Sequence, residues 1–240
     1  MMKGLVALVG SGEYLPVMED IDKYLLANCG ANGRKPMVVC LPTAAGQEGE
    51  ESVSRWMRMG EKHFTKLGAE VHSLHVTNRA EADDPSYVEL ISDADFIYCS
   101  GGKPHYLFET LNGSKLWLAA EGAFERGAVY AGCSAGAMIM GEDMMDFRTL
   151  GIRKNSAFGT LPGATIFPHF DQMMRWRKML MPLIQSRLAP ERYALGIDED
   201  TAMIGSPGKP WQVMGRGQVY VINKKDVNTF SPEQTFTLPF

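Results

Sequence analysis

The sequence predicts a three-layer α/β/α fold with a mostly parallel central sheet. Short runs that are apolar throughout alternate with segments of helical spacing, as expected for parallel strands covered on both faces. Several runs end in small residues, and ligands of such sheets bind beyond the carboxyl ends of the strands. After about residue 147 the pattern changes to β-like runs around a single helix, and the last two runs predict a C-terminal β-hairpin.

The first half of the chain supplies the predicted sheet and its covering helices. The first four strands are predicted at Leu5–Val9, Met37–Leu41, Glu70–Val76 and Asp95–Cys99. The predicted helices are Val17–Ala27, about Glu48 to Leu67, Tyr87–Ile91, Tyr106–Leu111 and Leu116–Arg126. Gly68 ends the long second helix, because glycine is common just beyond a helix C-terminus. A fifth apolar run, 127–131, follows the last of these helices.

The second half begins with a glycine-containing segment from Phe147 to Phe167 and one helix predicted over Asp171–Leu188. Its β-like runs are 164–168, Leu195–Ile197, Ala202–Ile204, Gln212–Met214 and Val219–Asn223. Gly215-Arg216-Gly217 separates the last two runs and predicts the hairpin turn. Because no repeat, low-complexity tract or linker interrupts the chain, we expect one domain over residues 1–240.

Composition excludes several classes of partner and site. The chain is 45% hydrophobic and 22% charged, with a net charge of −4 and no basic run, which argues against nucleic-acid or membrane-surface binding. No apolar stretch reaches the roughly 18 residues of a membrane span. The four cysteines are scattered without metal-binding spacing, which indicates reduced thiols in the cytoplasm and no metal. A GxGxxG dinucleotide motif also fails at Leu15, so no cofactor is expected.

The most informative stretch is Gly132-Cys133-Ser134-Ala135-Gly136, between an apolar run and a helix-compatible one. Strand, Gly-x-Ser-x-Gly and helix together are the pattern of a nucleophile elbow, although close packing of a helix on a strand also uses such small residues. The glycines are symmetric about Ser134, which is therefore the predicted nucleophile. The N–H of Ala135 is the first predicted oxyanion donor, and Gly101 or Gly102, at a neighbouring strand end, is the second.

A serine hydroxyl needs a base, and His169 is the predicted one because it follows a β-like run and precedes a helix. His105 lies beside the Gly101-Gly102 pair and is a candidate substrate contact.

The acid that would orient the base has several candidates. Three acids, Asp198, Glu199 and Asp200, follow an apolar run, and orienting an imidazole is one reason to place them together. Glu199 is the preferred one. Asp143 or Asp146, between the serine and the histidine in sequence, remains the alternative.

These motifs resemble those of the S51 serine peptidases, which include aspartyl dipeptidase (peptidase E) and cyanophycinase. The resemblance covers approximately residues 4–223 and is carried by five segments: 10–13, 100–102, 132–137, 168–170 and 196–202. It implies a class I glutamine amidotransferase-like (flavodoxin-like) fold. It also implies a Ser-His-Glu triad at Ser134, His169 and Glu199. The Pro-His-Phe form of the histidine motif is similar to the dipeptidase branch.

Two departures from the family pattern concern the substrate. Lys103-Pro104-His105 replaces the residues common after the Gly-Gly pair, and Arg175 and Arg177 lie about two positions later than the arginines of cyanophycinases. Both arginines could bind a substrate carboxylate or form a solvated helix face.

The sequence therefore predicts a metal-independent serine peptidase for short, acidic peptides. An esterase or amidase with the same triad, and an inactive binding scaffold, are the alternatives. A homodimer is left open.

Overall fold

The computed structural model describes residues 4–146, 151–154, 156–174 and 177–238. The strands are β1 Val6–Val9, β2 Met37–Leu41, β3 Glu70–Ser73, β4 Phe96–Cys99, β5 Val129–Cys133, β6 Met144–Asp146, β7 Gly151–Arg153, β8 Ala164–Phe167, β9 Tyr193–Ile197, β10 Thr201–Gly205, β11 Trp211–Gly215, β12 Val219–Ile222, β13 Val227–Phe230 and β14 Thr235–Phe236. The α-helices are α1 Glu19–Ala27, α2 Glu50–Lys66, α3 Arg79–Ala82, α4 Pro85–Asp93, α5 Pro104–Leu111, α6 Lys115–Arg126, α7 Ala135–Met138, α8 Phe170–Met174 and α9 Arg177–Arg187. Short 3-10 helices form at Pro16–Met18 and Thr43–Ala45.

An eight-stranded sheet forms the centre of the molecule, in the order β14-β11-β10-β1-β5-β4-β2-β3. The five strands from β1 to β3 in this order are parallel to one another, whereas β10, β11 and β14 extend the sheet in antiparallel fashion. The predicted parallel α/β architecture is confirmed, and the edge position of β3 agrees with its partly polar sequence.

Both faces of this sheet are covered, and its inner parallel strands β1, β2, β4 and β5 are apolar throughout. Along β1, Val6 and Leu8 face one apolar cluster, while Ala7 and Val9 face the other. Helices α4, α5 and α6 contribute to the first cluster and α1 and α2 to the second. Burial of each Leu, Val or Phe side chain stabilises the folded state by about 1.5–3 kcal/mol, so these two apolar clusters supply most of the driving force for folding.

A second sheet of four strands, in the order β13-β12-β9-β8, lies beside the first. The hairpin predicted between β11 and β12 is wrong: β11 pairs in the large sheet, and β12 pairs with β9 and β13 in the small one. The C-terminal hairpin is instead β12–β13. Gly215 has a φ of 112°, and a Cβ there would lie 2.2 Å from the carbonyl oxygen of Asp200, so the chain crosses between sheets where the sequence signals a turn.

The other sequence predictions agree with the element bounds to within a few residues. Within the helix predicted over residues 171–188, the structure describes helix at Phe170–Met174 (α8) and Arg177–Arg187 (α9), and residues 175 and 176 lie outside the described residues.

Candidate active site

Ser134 occupies the sharp turn between β5 and α7, with φ 51° and ψ −107°. A positive φ is strained for any residue with a side chain, and such strain is concentrated at functional sites. A Cβ on Gly132 would lie 2.2 Å from the carbonyl oxygen of Gly136, so the crowding predicted for the elbow is present. The hydroxyl of Tyr130 donates to that same carbonyl at 2.7 Å and fixes the beginning of α7.

The structure places three predicted side chains in one hydrogen-bonded line. Ser134 Oγ lies 3.0 Å from His169 Nε2, and His169 Nδ1 lies 2.8 Å from Glu199 Oε1. His169 also has a positive φ, 51°, two residues after the end of β8. The side chains of His169 and Glu199 are 41% and 36% exposed, so the line is open to solvent on one side.

Glu199 is itself held by the helix that follows the histidine. The side-chain amide of Gln172 donates to Glu199 Oε2 at 3.2 Å, and the backbone N–H of Glu199 donates to Asp171 Oδ1 at 3.0 Å. Each carboxylate oxygen of Glu199 therefore has its own partner, which fixes the plane of the carboxylate relative to the imidazole. Sequence reasoning did not identify Gln172 or Asp171, although both lie within three residues of His169.

The other candidate acids make different contacts. Asp198 is buried and accepts a hydrogen bond from the backbone N–H of Gln218 at 2.8 Å, and burial, followed by the nearby charge of Asp171, raises the pKa of its carboxyl. Asp200 lies 3.8 Å from Arg216. The remaining two lie near arginines: Asp143 is 3.7 Å from Arg192, and Asp146 is 3.9 Å from Arg153.

Gly101 and Gly102 follow the end of β4, and Gly101 lies directly beside Ser134. A Cβ added to Gly101 would lie 3.2 Å from Ser134 Cβ and 2.7 Å from a carboxylate oxygen of Glu13, so only glycine fits there. The N–H of Gly101 donates to Glu13 Oε1 at 2.9 Å and is therefore already engaged. Among the described residues, none accepts a hydrogen bond from the N–H of Gly102 or of Ala135.

Cys133 precedes the serine but is completely buried and donates its thiol to Glu13 Oε2 at 3.0 Å. Burial, with the charge of Glu13 next in importance, raises the pKa of this thiol well above its usual range. A nucleophilic cysteine needs the thiolate. Cys133 is therefore poorly suited to act as a nucleophile, whereas the adjacent Ser134 is only partly buried.

The predicted substrate contacts are placed only in part. His105 is half-buried in the first turn of α5, and its Nε2 has no hydrogen-bond partner among the described residues. Lys103, just before it, extends to Gln47 at 3.3 Å on the surface. Arg177 begins α9 without a described side chain, and Arg175 lies outside the described residues.

Among the described residues, no group of three or more His, Cys, Asp or Glu side chains is placed to hold a metal ion. In the same part of the chain, every helix is too short or too polar to cross a membrane.

Comparison with known families decides the assignment of the chain. The model of peptidase family S51 matches residues 6–208. The chain belongs to peptidase family S51.

Two relatives of the chain are cyanophycinases. The cyanophycinase of Geminocystis herdmanii is 27% identical over 204 residues, covering 80% of this chain and 71% of that protein. The cyanophycinase of Synechococcus elongatus is 26% identical over 94% of this chain and 70% of that protein.

Solved structures agree with the S51 fold. A peptidase from an acI-B1 Actinobacterium superposes with a TM-score of 0.86 at 35% identity, covering 99% of this chain and 98% of that one. A putative peptidase E protein from Listeria monocytogenes superposes with a TM-score of 0.63 at 19% identity, covering 90% and 99% of the two chains, and this match concerns the fold alone. The predicted family and fold are thus confirmed.

Proposed function

We propose that this S51 peptidase is a serine hydrolase that cleaves short peptides by way of an acyl-enzyme. The observation that carries the proposal is the hydrogen-bonded line from Ser134 Oγ through His169 to Glu199, with separations of 3.0 and 2.8 Å. Both separations lie within the reach needed for proton transfer from a nucleophile to a base and for orientation of that base.

In the proposed reaction, Ser134 Oγ attacks the scissile carbonyl carbon while His169 Nε2 takes its proton. Glu199 accepts from the Nδ1–H of His169, which fixes the tautomer and stabilises the imidazolium. The protonated His169 then donates to the leaving amine as the C–N bond breaks. Water, deprotonated by His169, attacks the ester carbonyl, and His169 returns that proton to Ser134 Oγ as the ester C–O bond breaks.

The negative charge on the carbonyl oxygen needs donors in place before the reaction. The N–H of Ala135, at the N-terminus of α7, is the first proposed donor. Because the N–H of Gly101 is taken by Glu13, Gly102 is the proposed second donor. The positive φ of Gly102, 142°, and the 2.4 Å that would separate its Cβ from the Ala44 carbonyl oxygen restrict this position to glycine, which brings bare backbone to the site.

The proposed substrate is a short peptide containing an acidic residue, such as aspartate. Lys103 and the arginines at 175 and 177 supply positive charge to the segments on either side of Ser134 in sequence. Arginine binds a carboxylate through two parallel hydrogen bonds, which is the recognition that such a substrate requires.

The test is release of free amino acids from a dipeptide library, together with a panel of small esters, by the wild type and by Ser134→Ala. We expect cleavage of dipeptides with an acidic N-terminal residue and its complete loss in the variant, with a fluorophosphonate probe labelling the wild type alone. Cleavage that survives in Ser134→Ala would remove Ser134 as the nucleophile. Turnover of esters without peptides would replace the peptidase by an esterase, and an unlabelled, inert wild type would indicate a binding scaffold.

A further inference from the structure

The loop Gly10-Ser11-Gly12-Glu13, which follows β1, packs against the segment that carries Glu199. The N–H of Gly10 donates to the carbonyl of Thr201 at 3.0 Å, and a Cβ on Gly10 would overlap the carbonyl of Asp198. Gly12 has a φ of 94°, and a Cβ there would lie 2.6 Å from Asp200 Oδ1. The two glycines thus allow the loop to lie directly against residues 198–200.

On its other side the loop reaches the nucleophile through the Glu13 carboxylate. One oxygen accepts from the Gly101 N–H at 2.9 Å, and the second accepts from the Cys133 thiol at 3.0 Å. Gly101 lies against Ser134 with no side chain between them, and Cys133 directly precedes Ser134 in sequence. One side chain therefore joins the end of β4 to the end of β5 beneath the proposed reacting atoms.

Loss of this carboxylate would affect position as well as hydrogen bonding. A buried N–H that has lost its acceptor is destabilising, so the end of β4 would move to find another partner. The Gly101-Gly102 backbone would move with it, and a misplacement of about 1 Å at a reacting centre can reduce the rate about 100-fold.

We propose that Glu13 is a positioning residue of this active site, which holds the Gly101-Gly102 backbone in register with Ser134 through the Gly101 N–H. The inference rests on the proposed serine-hydrolase function. The hydrogen bonds of Glu13 are to Gly101 and Cys133, and its proposed effect passes through the oxyanion donor at Gly102. The loop at residues 10–13, which does not match a dinucleotide-binding motif, thereby supports the proposed nucleophile, the proposed oxyanion donors and the proposed triad acid.

The test compares Glu13→Ala and Glu13→Gln with the wild type, and Ser11→Ala serves as the matched control within the same loop. Glutamine keeps an oxygen that accepts from the Gly101 N–H, whereas alanine does not. For Glu13→Ala we expect kcat to fall about 10- to 100-fold, with KM within about threefold of the wild-type value. Glu13→Gln is expected to recover kcat to within about fivefold, and Ser11→Ala to match the wild type. The amide exchange of Gly101, followed by NMR, should accelerate in Glu13→Ala alone.

Several outcomes would overturn this role. Wild-type kcat in a folded Glu13→Ala, a change confined to KM, or equal losses in the Ala and Gln variants would each contradict positioning through the Gly101 N–H. If Glu13→Ala does not fold, Glu13→Met supplies the apolar comparison of similar length. Failure of the proposed function looks different, because the wild type itself would then be inert toward both peptides and the fluorophosphonate probe, and the role of Glu13 would fall with it.

Discussion

Gly132→Ala is the most direct perturbation of the elbow, because the new methyl group would meet backbone rather than a movable side chain. Its Cβ would lie 2.2 Å from the carbonyl oxygen of Gly136, whereas ordinary contact begins at 3.4 Å. The two segments must therefore separate by about 1.2 Å, an overpacking that typically costs about 1–3 kcal/mol of stability. A shift of that size would stretch the 3.0 Å contact between Ser134 and His169 beyond hydrogen-bond range.

We expect kcat/KM toward the best dipeptide, and the rate of fluorophosphonate labelling, to fall about 100-fold or more in Gly132→Ala. Gly122→Ala is the matched control: Gly122 lies in α6, where a Cβ would meet only Arg126 Nη1 at 3.4 Å. Alanine in a helix interior is favoured over glycine by about 0.5–1 kcal/mol, so this variant should be slightly more stable and equally active. A folded Gly132→Ala that is labelled at the wild-type rate would refute the argument from crowding.

Two further predictions concern charge. Glu199→Gln should lower kcat by about 10⁴-fold with little change in thermal stability, because a glutamine amide neither fixes the His169 tautomer nor stabilises the imidazolium. Asp198→Asn should retain most of the activity. If steady-state assays gave the reverse order, Asp198 would be the triad acid. Burial raises the pKa of the Cys40 and Cys99 thiols from 9.0 to about 12. Above pH 9 the unfolded chain therefore releases protons that the folded chain keeps, so stability is fully present below pH 9 and falls as the pH rises. From pH 8 to pH 10 each thiol should remove about 1.4 kcal/mol, and urea titrations of Cys40→Ala should show a fall smaller by that amount; equal falls in variant and wild type would contradict the shift.

The inner parallel strands β1, β2, β4 and β5 can be predicted from the sequence because they are apolar throughout. Val38, Val39, Cys40 and Leu41 are all buried, and a run of this kind fits a strand covered on both faces. The assignment of β11 and β12 to different sheets is not readable, because Gly215 and Gly217 have the composition of a hairpin turn. In the structure both glycines instead lie against residues 198–201, a contact that exists only in the folded chain.

The candidate site divides in the same way. Ser134 and His169 are predictable because local features mark them: flanking glycines for the serine and a strand end for the histidine. The choice among Asp198, Glu199 and Asp200 depends on which way each side chain points, and consecutive residues differ in direction. The contacts of Glu13 could not be predicted from the sequence, because its partners, Gly101 and Cys133, are 88 and 120 residues away in the chain.

The proposed base and acid belong to the small sheet, and the nucleophile belongs to the large one. His169 follows β8, Glu199 follows the adjacent parallel strand β9, and the short connection that carries Glu199 leads directly into β10 of the large sheet. The imidazole and the carboxylate thus both follow strands of the small sheet, whereas Ser134 follows a strand of the large sheet. The proposed activity therefore depends on how the two sheets pack against each other, because loosening this contact would separate Ser134 from an intact pair of His169 and Glu199. We expect activity to be lost on heating at a temperature below that at which either sheet unfolds.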